Sequence, residues 1–221
     1  MTSSHAGPRK LSPGKAIGWS IAFLVLTFLT AGLLCLGVGV FITGSLAGAD
    51  AWLRALGPGS MLAQAGTTLV ATAFFTWLIG LRRLGLTYDD LRYRTDALAR
   101  SGWARGLLAG ALTAGLALLI SVIAGQARWL NDTGGLAEYL AQSAKTVAVL
   151  APAALAEEIL FRGVPLVILA ATMGRGSAIV ATSVLFAVVH IDNPNATPLG
   201  LGNIALAGTF LGLVFYAPGG I

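Results

Sequence analysis

The chain has 221 residues, of which 56% are hydrophobic and only 10% charged, and its mean hydropathy is +0.82. Soluble globular domains carry about 25% charged residues, so this composition excludes an ordinary soluble domain and predicts a protein that lies in a lipid bilayer. The net charge is +5, but the cationic residues stand in short gaps between apolar runs, where they orient membrane helices, so we exclude a nucleic-acid partner.

About six apolar runs are long enough to be membrane helices, since a helix needs about 20 residues to cross the hydrocarbon. The predicted spans cover residues 16–43, 61–81, 103–124, 146–173, 177–190 and 199–216. They predict an all-α, polytopic membrane helical bundle, with a polar tail over residues 1–15 and a single transmembrane domain over residues 16–221. The first run is too long for the apolar region of a signal peptide, so we expect it to be retained.

The distribution of arginine and lysine predicts the orientation, because cationic connections stay in the cytoplasm. The first connection has only Arg54, which faces Asp50. The tail and the second connection are much richer in cations: Arg9, Lys10, Lys15, Arg82, Arg83, Arg92, Arg94, Arg100 and Arg105. We therefore predict a multi-pass protein of the cell membrane with a cytoplasmic N-terminus, and Arg175 after the fourth span returns to the cytoplasm.

Two glycine pairs have the spacing that lets membrane helices approach closely, Gly106-x-x-x-Gly110 and Gly208-x-x-x-Gly212. With 29 glycines in the chain such spacings also arise by chance. Ordinary packing within the bundle is therefore favoured over a dimer interface. The single cysteine, Cys35, lies in the first run, which excludes an intrachain disulfide and predicts a small core residue.

The fourth run contains three ionisable residues within six positions, Glu157, Glu158 and Arg162. Each charge at the centre of a membrane helix costs roughly 2.5–3.5 kcal/mol, so these side chains need partners or a function. At about 100° per residue, Glu158 and Arg162 share a helix face and are predicted to pair, whereas Glu157 points to another face. Glu157, buried without that arginine, is predicted to be a general base.

The fifth run ends on His190, with Phe186 four residues earlier on the same face. A lone histidine at a helix end is usually a structural residue. Beside the two glutamates, however, an imidazole could hold and activate one water molecule, which is the minimum apparatus for hydrolysing an amide bond. Hydrolysis is therefore the leading hypothesis for the chemistry.

Glu157-Glu158-x-x-x-Arg162, followed by Phe186-x-x-x-His190, resembles the first two motifs of the CPBP family of intramembrane endopeptidases. This family includes type II CAAX prenyl proteases and bacteriocin-immunity or Abi-like proteins, and the resemblance covers residues 147–221. It implies that Glu157 activates the attacking water, that His190 positions it, that Glu158 with Arg162 supports the site, and that Phe186 lines the substrate cavity. The implied partner is a membrane-associated peptide or protein. The alanine-, glycine- and arginine-rich composition suggests a bacterial source, which favours a leader or bacteriocin-type peptide over a prenylated one.

The third motif of the family, a histidine followed four residues later by asparagine or aspartate, does not occur in this sequence. An oxyanion stabiliser would be missing with it. We expect a truncated family member, because Gly219-Gly220-Ile221 is typical of the beginning of another helix. The family is described both as metalloprotease and as metal-free. A divalent metal such as zinc, with Glu157 and His190 as candidate ligands, stays open, although catalytic zinc normally takes three protein ligands.

Three other hypotheses remain. The four polar residues could be a buried network that fixes helix register without any chemistry. A proton-coupled transporter could use glutamate and histidine as a relay, although the chain shows no inverted repeat. A non-catalytic membrane immunity or scaffold protein could keep the family fold and bind its target without cutting it.

Overall fold

The structure, a computed structural model, describes residues 11–93, 97–130, 133–193 and 196–217, without the side chains of residues 97–101 and 103. These residues form α-helices, one π-helical stretch and no strand, which confirms the predicted all-α fold. The helices are α1 (Pro13–Thr43), α2 (Leu46–Arg54), α3 (Pro58–Phe75), α4 (Ala97–Ile123), α5 (Leu136–Arg162), α6 (Val164–Met173), α7 (Arg175–Val188) and α8 (Pro198–Tyr216). The π-helical stretch, Thr76–Arg83, continues α3 without a break.

Four helical segments of the described chain are long and apolar enough to cross a membrane: Pro13–Thr43, Pro58–Arg83, Ala104–Ile123 and Pro198–Tyr216. They correspond to the first, second, third and sixth predicted spans. The fifth predicted span forms α7, which is apolar but shorter, and a helix, α2, occupies the first connection. The prediction of a helical membrane bundle is thus confirmed. The predicted turn and helix start at the C-terminus, residues 218–221, lie outside the described residues.

The fourth predicted span is not one helix. The structure divides it at Gly163, which has φ −73° and ψ −121°, into α5 and α6. The cause lies in Pro165, which cannot donate a backbone hydrogen bond and whose ring would clash with the carbonyl of residue 161 in a continuous helix. The ionisable residues therefore lie in the last turns of α5, and α6 starts a new direction behind them.

We call the helices that pack together the packed body. In it, α1 contacts α2, α3 and α6, α3 contacts α5, and α7 contacts α6 and α8. Gly212 makes room for Ile179, because a Cβ atom at Gly212 would lie 2.9 Å from its Cγ2 atom, so this predicted close approach occurs between α8 and α7. Nothing lies within 4 Å of such an atom at Gly106 or Gly110 on α4. The apolar stretch of α4 has no buried residue.

The second connection folds back against the body over residues 84–93, where Leu84, Leu86 and Leu91 are buried. Burial also raises the pKa of Tyr93 to about 12, so its phenol stays neutral across the physiological range. The Tyr93 hydroxyl lies beside Gly163, where an added Cβ atom would approach it to 3.0 Å. The connection thereby packs against the break between α5 and α6. Arg94, which the sequence places in this connection, lies outside the described residues.

We predict that Gly163→Ala lowers the free energy of unfolding by about 1–3 kcal/mol, the usual cost of overpacking. The added Cβ atom would meet the backbone carbonyl oxygen of Ile159, which cannot move without distorting the end of α5. Gly176→Ala is the matched control, since nothing lies within 4 Å of a Cβ atom there. Thermal unfolding in detergent measures both variants, and equal midpoints for Gly163→Ala and the unchanged protein would contradict this packing.

Candidate active site

Glu157 and His190 come together from different helices. Glu157 lies in the penultimate turn of α5, and His190 lies just beyond the end of α7. The Glu157 Oε1 and His190 Nε2 atoms are 3.9 Å apart, and the exposed fractions of the two side chains are 43% and 17%. This distance is too long for a hydrogen bond, but a water molecule to one side of the line that joins the two atoms can lie within hydrogen-bond distance of both.

The main chain of α7 sets the tautomer of His190. The Nδ1 atom lies 2.6 Å from the carbonyl oxygen of Phe186. Because a carbonyl oxygen can only accept, Nδ1 must carry the proton and donate it. In the neutral ring, Nε2 therefore has a free lone pair, and this lone pair belongs to the nitrogen that faces Glu157.

Glu158 and Arg162 form the pair that their spacing predicts. The Glu158 Oε1 and Arg162 Nη1 atoms lie 3.2 Å apart, without the angles of a hydrogen bond. Arg162 is 2% exposed, and its Nη2 atom donates to the carbonyl oxygen of Gly208 on α8 over 3.4 Å. Its guanidinium carbon also lies 4.6 Å from the centre of the Phe186 ring. Arg162 thus joins α5 to α7 and α8.

Phe186 takes a different place from the one predicted. Its ring packs against the Arg162 guanidinium, and its centre lies 4.7 Å from the centre of the His190 imidazole. It stands behind the cavity that Glu157 and His190 border and does not line it. The aromatic residue that does line this cavity is Phe161, which meets Phe186 edge to face at 5.2 Å. The i, i+4 spacing correctly predicts the contact between Phe186 and His190. The same ring also faces the buried Arg162.

A cavity of about 410 Å³ opens beside Glu157 and His190. Much of its wall is apolar, and three further polar residues border it that the sequence analysis did not identify: Gln64, Thr68 and Asn193. The Thr68 hydroxyl donates to the Gln64 carbonyl oxygen, so it is already satisfied. The side-chain amide of Gln64 has no hydrogen-bond partner among the described residues. Its position on the second predicted span was the available signal, since a glutamine is costly in a lipid-facing helix.

The donor set is too small for a catalytic metal. Zinc at a catalytic site takes three protein ligands. Glu157 and His190 supply two, and Glu158 is turned toward Arg162. Across the described residues no group of three or more His, Cys, Asp or Glu side chains could hold a metal ion. These residues therefore do not fit a zinc site.

The fold and the site define a class, a helical membrane protein with a glutamate–histidine cavity between its helices. Residues 140–221 match the family model described as type II CAAX prenyl endopeptidase Rce1-like, so this segment has the fold of CAAX-type intramembrane endopeptidases. The match confirms the family that the two motifs predict. Neither a curated protein nor a solved structure matches the chain.

We predict that Arg162→Met lowers the free energy of unfolding by about 3–5 kcal/mol, because it leaves the Glu158 carboxylate buried without a counter-charge. The double variant Glu158→Gln/Arg162→Met removes that charge and should recover a large part of the loss. Arg175→Met is the matched control, since this arginine is exposed. Thermal unfolding of the four proteins tests the pair, and a double variant no more stable than Arg162→Met would contradict it.

Proposed function

We propose that the protein is an intramembrane endopeptidase that hydrolyses a peptide bond of a membrane-associated peptide or protein. One observation carries the proposal: the Glu157 carboxylate faces the unprotonated Nε2 atom of His190 across 3.9 Å at the edge of a cavity. Two acceptors at this distance can each accept a hydrogen bond from the same water molecule, which would bridge them from the cavity side.

The reaction follows from these positions. Glu157 accepts a proton from the water as its oxygen attacks the carbonyl carbon of the substrate, and His190 orients that oxygen. The carbon–nitrogen bond of the tetrahedral intermediate then breaks, and the proton on Glu157 passes to the leaving amine. The products are an amine and a carboxylic acid, which loses its remaining proton to water, and Glu157 returns to its starting state. Glu158 and Arg162 hold the end of α5 and are positioning residues.

Gln64 is the group that we assign to the substrate carbonyl oxygen. Oxyanion stabilisation needs a hydrogen-bond donor aimed into the cavity, and a side-chain amide is such a donor. The Gln64 amide borders the cavity from α3, whereas Glu157 borders it from α5, and the amide has no partner among the described residues. Asn193 also borders the cavity, but it follows α7 as an exposed residue at the rim.

The orientation that we propose places the N-terminus in the cytoplasm and the helices in the cell membrane. The support is the excess of cations at the start of α1 and in the second connection, both of which stay inside by the positive-inside rule.

We predict that Glu157→Gln and His190→Ala each lower the cleavage rate at least about 10²-fold while the unfolding midpoint stays near that of the unchanged protein. The assay uses the full chain in proteoliposomes with a membrane-anchored peptide, in a farnesylated CAAX form and an unprenylated leader form, and mass spectrometry of the fragments. Asp192→Asn is the matched control, an exposed carboxylate near His190 that does not line the cavity.

Full cleavage by Glu157→Gln would refute the assignment of the base. A folded, unchanged protein that cleaves neither peptide would favour the non-catalytic immunity or scaffold protein instead.

We predict that Gln64→Leu lowers kcat about 10²- to 10³-fold with a small change in KM, because a donor to the oxyanion acts mainly in the transition state. Met61→Leu changes an apolar residue of the same helix and the same cavity at similar volume, and it should keep its kcat. The steady-state kinetics of the assay above measure both. A kcat for Gln64→Leu that equals that of Met61→Leu would exclude Gln64 from the chemistry.

A further inference from the structure

The two ends of the packed body differ in charge. The start of α1, the end of the π-helical stretch, the start of α7 and the end of α8 lie at the same end. Three contacts show this. The Arg83 guanidinium lies 6.0 Å from the Trp19 ring centre, that of Arg175 lies 4.9 Å from the Tyr216 ring centre, and that of Arg92, which follows the π-helical stretch, lies 5.5 Å from the same Tyr216 ring. We call this the arginine end, and its described cationic residues are Lys15, Arg82, Arg83, Arg92 and Arg175.

The second connection is attached to the same end. Arg92 donates from Nη1 to the carbonyl oxygen of Phe215 over 2.8 Å and to that of Ala217 over 3.2 Å. These carbonyls belong to the C-terminus of α8, where a cation also complements the helix dipole. The arginine-rich connection is therefore bound to the body by the Arg92 side chain.

The opposite end carries fewer cations. Arg54 on α2 is bound to Asp50 over 2.8 Å, so the pair has no net charge. Arg128 and Lys145 lie in exposed segments beyond the packed body, after α4 and in the first half of α5. Because Arg and Lys set the orientation of membrane helices, the arginine end is the cytoplasmic end.

The cavity opens at the end away from these arginines. Its rim includes Leu56 and Met61, where α3 begins, and Asn193, which follows α7. Its floor includes Thr68, which is fifteen residues before Arg83 along the same helical segment. At 1.5 Å per residue, about 20 Å of helix separates the floor from the arginine end.

Packed side chains fill that distance. Phe23 and Leu24 of α1, Phe75 and Ile79 of the α3 segment, and Leu166 of α6 are all buried there, in one continuous apolar cluster. A peptide at the arginine end would have to displace this core to reach Glu157. His190, fifteen residues beyond Arg175, is equally remote from that end.

We infer that the candidate active site opens to the non-cytoplasmic face of the membrane, and that its substrate is a peptide segment presented from that face. That a substrate enters the cavity rests on the proposed function. The direction in which the cavity opens rests on the fold and the charges alone. Water enters by the same route. Met61, Leu160, Phe161 and Val189 line the cavity, so the segment carries an apolar side chain next to the bond that is cut.

A cavity that opens to the non-cytoplasmic face favours one class of substrate. An exported leader peptide, or the outer boundary of a membrane anchor, reaches the rim of the cavity directly. A cytoplasmic protein with a prenylated C-terminus would approach the arginine end, on the far side of the packed core. The two classes thus differ in the face from which the peptide arrives.

Thiol labelling tests the direction of the cavity without any need for activity. The background is Cys35→Ala, which removes the single cysteine, a buried residue. Asn193→Cys then places a thiol at the cavity rim, and Asp89→Cys is the matched control at an exposed position of the second connection. A membrane-impermeant maleimide added to right-side-out cells should label Asn193→Cys and not Asp89→Cys, and inverted vesicles should show the reverse. Labelling of Asp89→Cys from outside the cell would overturn the inference.

Cleavage in cells tests the face from which the substrate comes. One reporter peptide is fused to a single-span anchor in two orientations, with the peptide outside or inside the cell. We expect at least a tenfold faster cleavage of the outer form, and faster cleavage of the inner form would overturn the inference. If the labelling is as expected and neither form is cut, the cavity direction stands and the proposed proteolysis is contradicted.

Discussion

A buried cation joins the helices of the candidate site. Arg162, which is 2% exposed, contacts Glu158 on its own helix, the Phe186 ring on α7 and the Gly208 carbonyl on α8. A charge in such a position is stable only if its partners stay in place, because losing one leaves the others buried and unpaired. The end of α5 is thereby fixed relative to α7, and this fixes Glu157 opposite His190.

The same contacts explain why two adjacent glutamates have different surroundings. Glu158 lies on the face of α5 that carries Arg162, whereas Glu157 lies about 100° around the helix and borders the cavity. The Phe186 ring separates the Arg162 guanidinium from the imidazole of His190. Glu158 is therefore paired with the buried arginine, whereas Glu157 and His190 border the cavity.

Helix periodicity was sufficient to predict the long apolar helices and the Glu158–Arg162 pair, because both depend on spacing within one segment. The break at Gly163 was missed, although Pro165 was visible in the sequence, because the surrounding run is apolar on both sides. The place of Phe186 and the position of Gln64 at the cavity could not be predicted. They depend on which helices pack together, and a sequence of uniform hydropathy does not encode those neighbours in any single segment.

The sidedness that we infer for the cavity depends on the cations and the helix packing together. The sequence places the cations, and the structure shows that the rim of the cavity lies at the other end of the same helices. A site in this position can receive water without opening the core that underlies it.

A cryo-electron-microscopy structure in lipid nanodiscs, at a resolution that shows water, would test the pairing of Glu157 with His190. We expect one water molecule that bridges the two side chains from the cavity, about 2.8 Å from the carboxylate and from Nε2, and a cavity that opens away from the arginine end. A Glu157 side chain turned into the lipid, or a His190 imidazole on the far side of α7 from it, would contradict the proposed site.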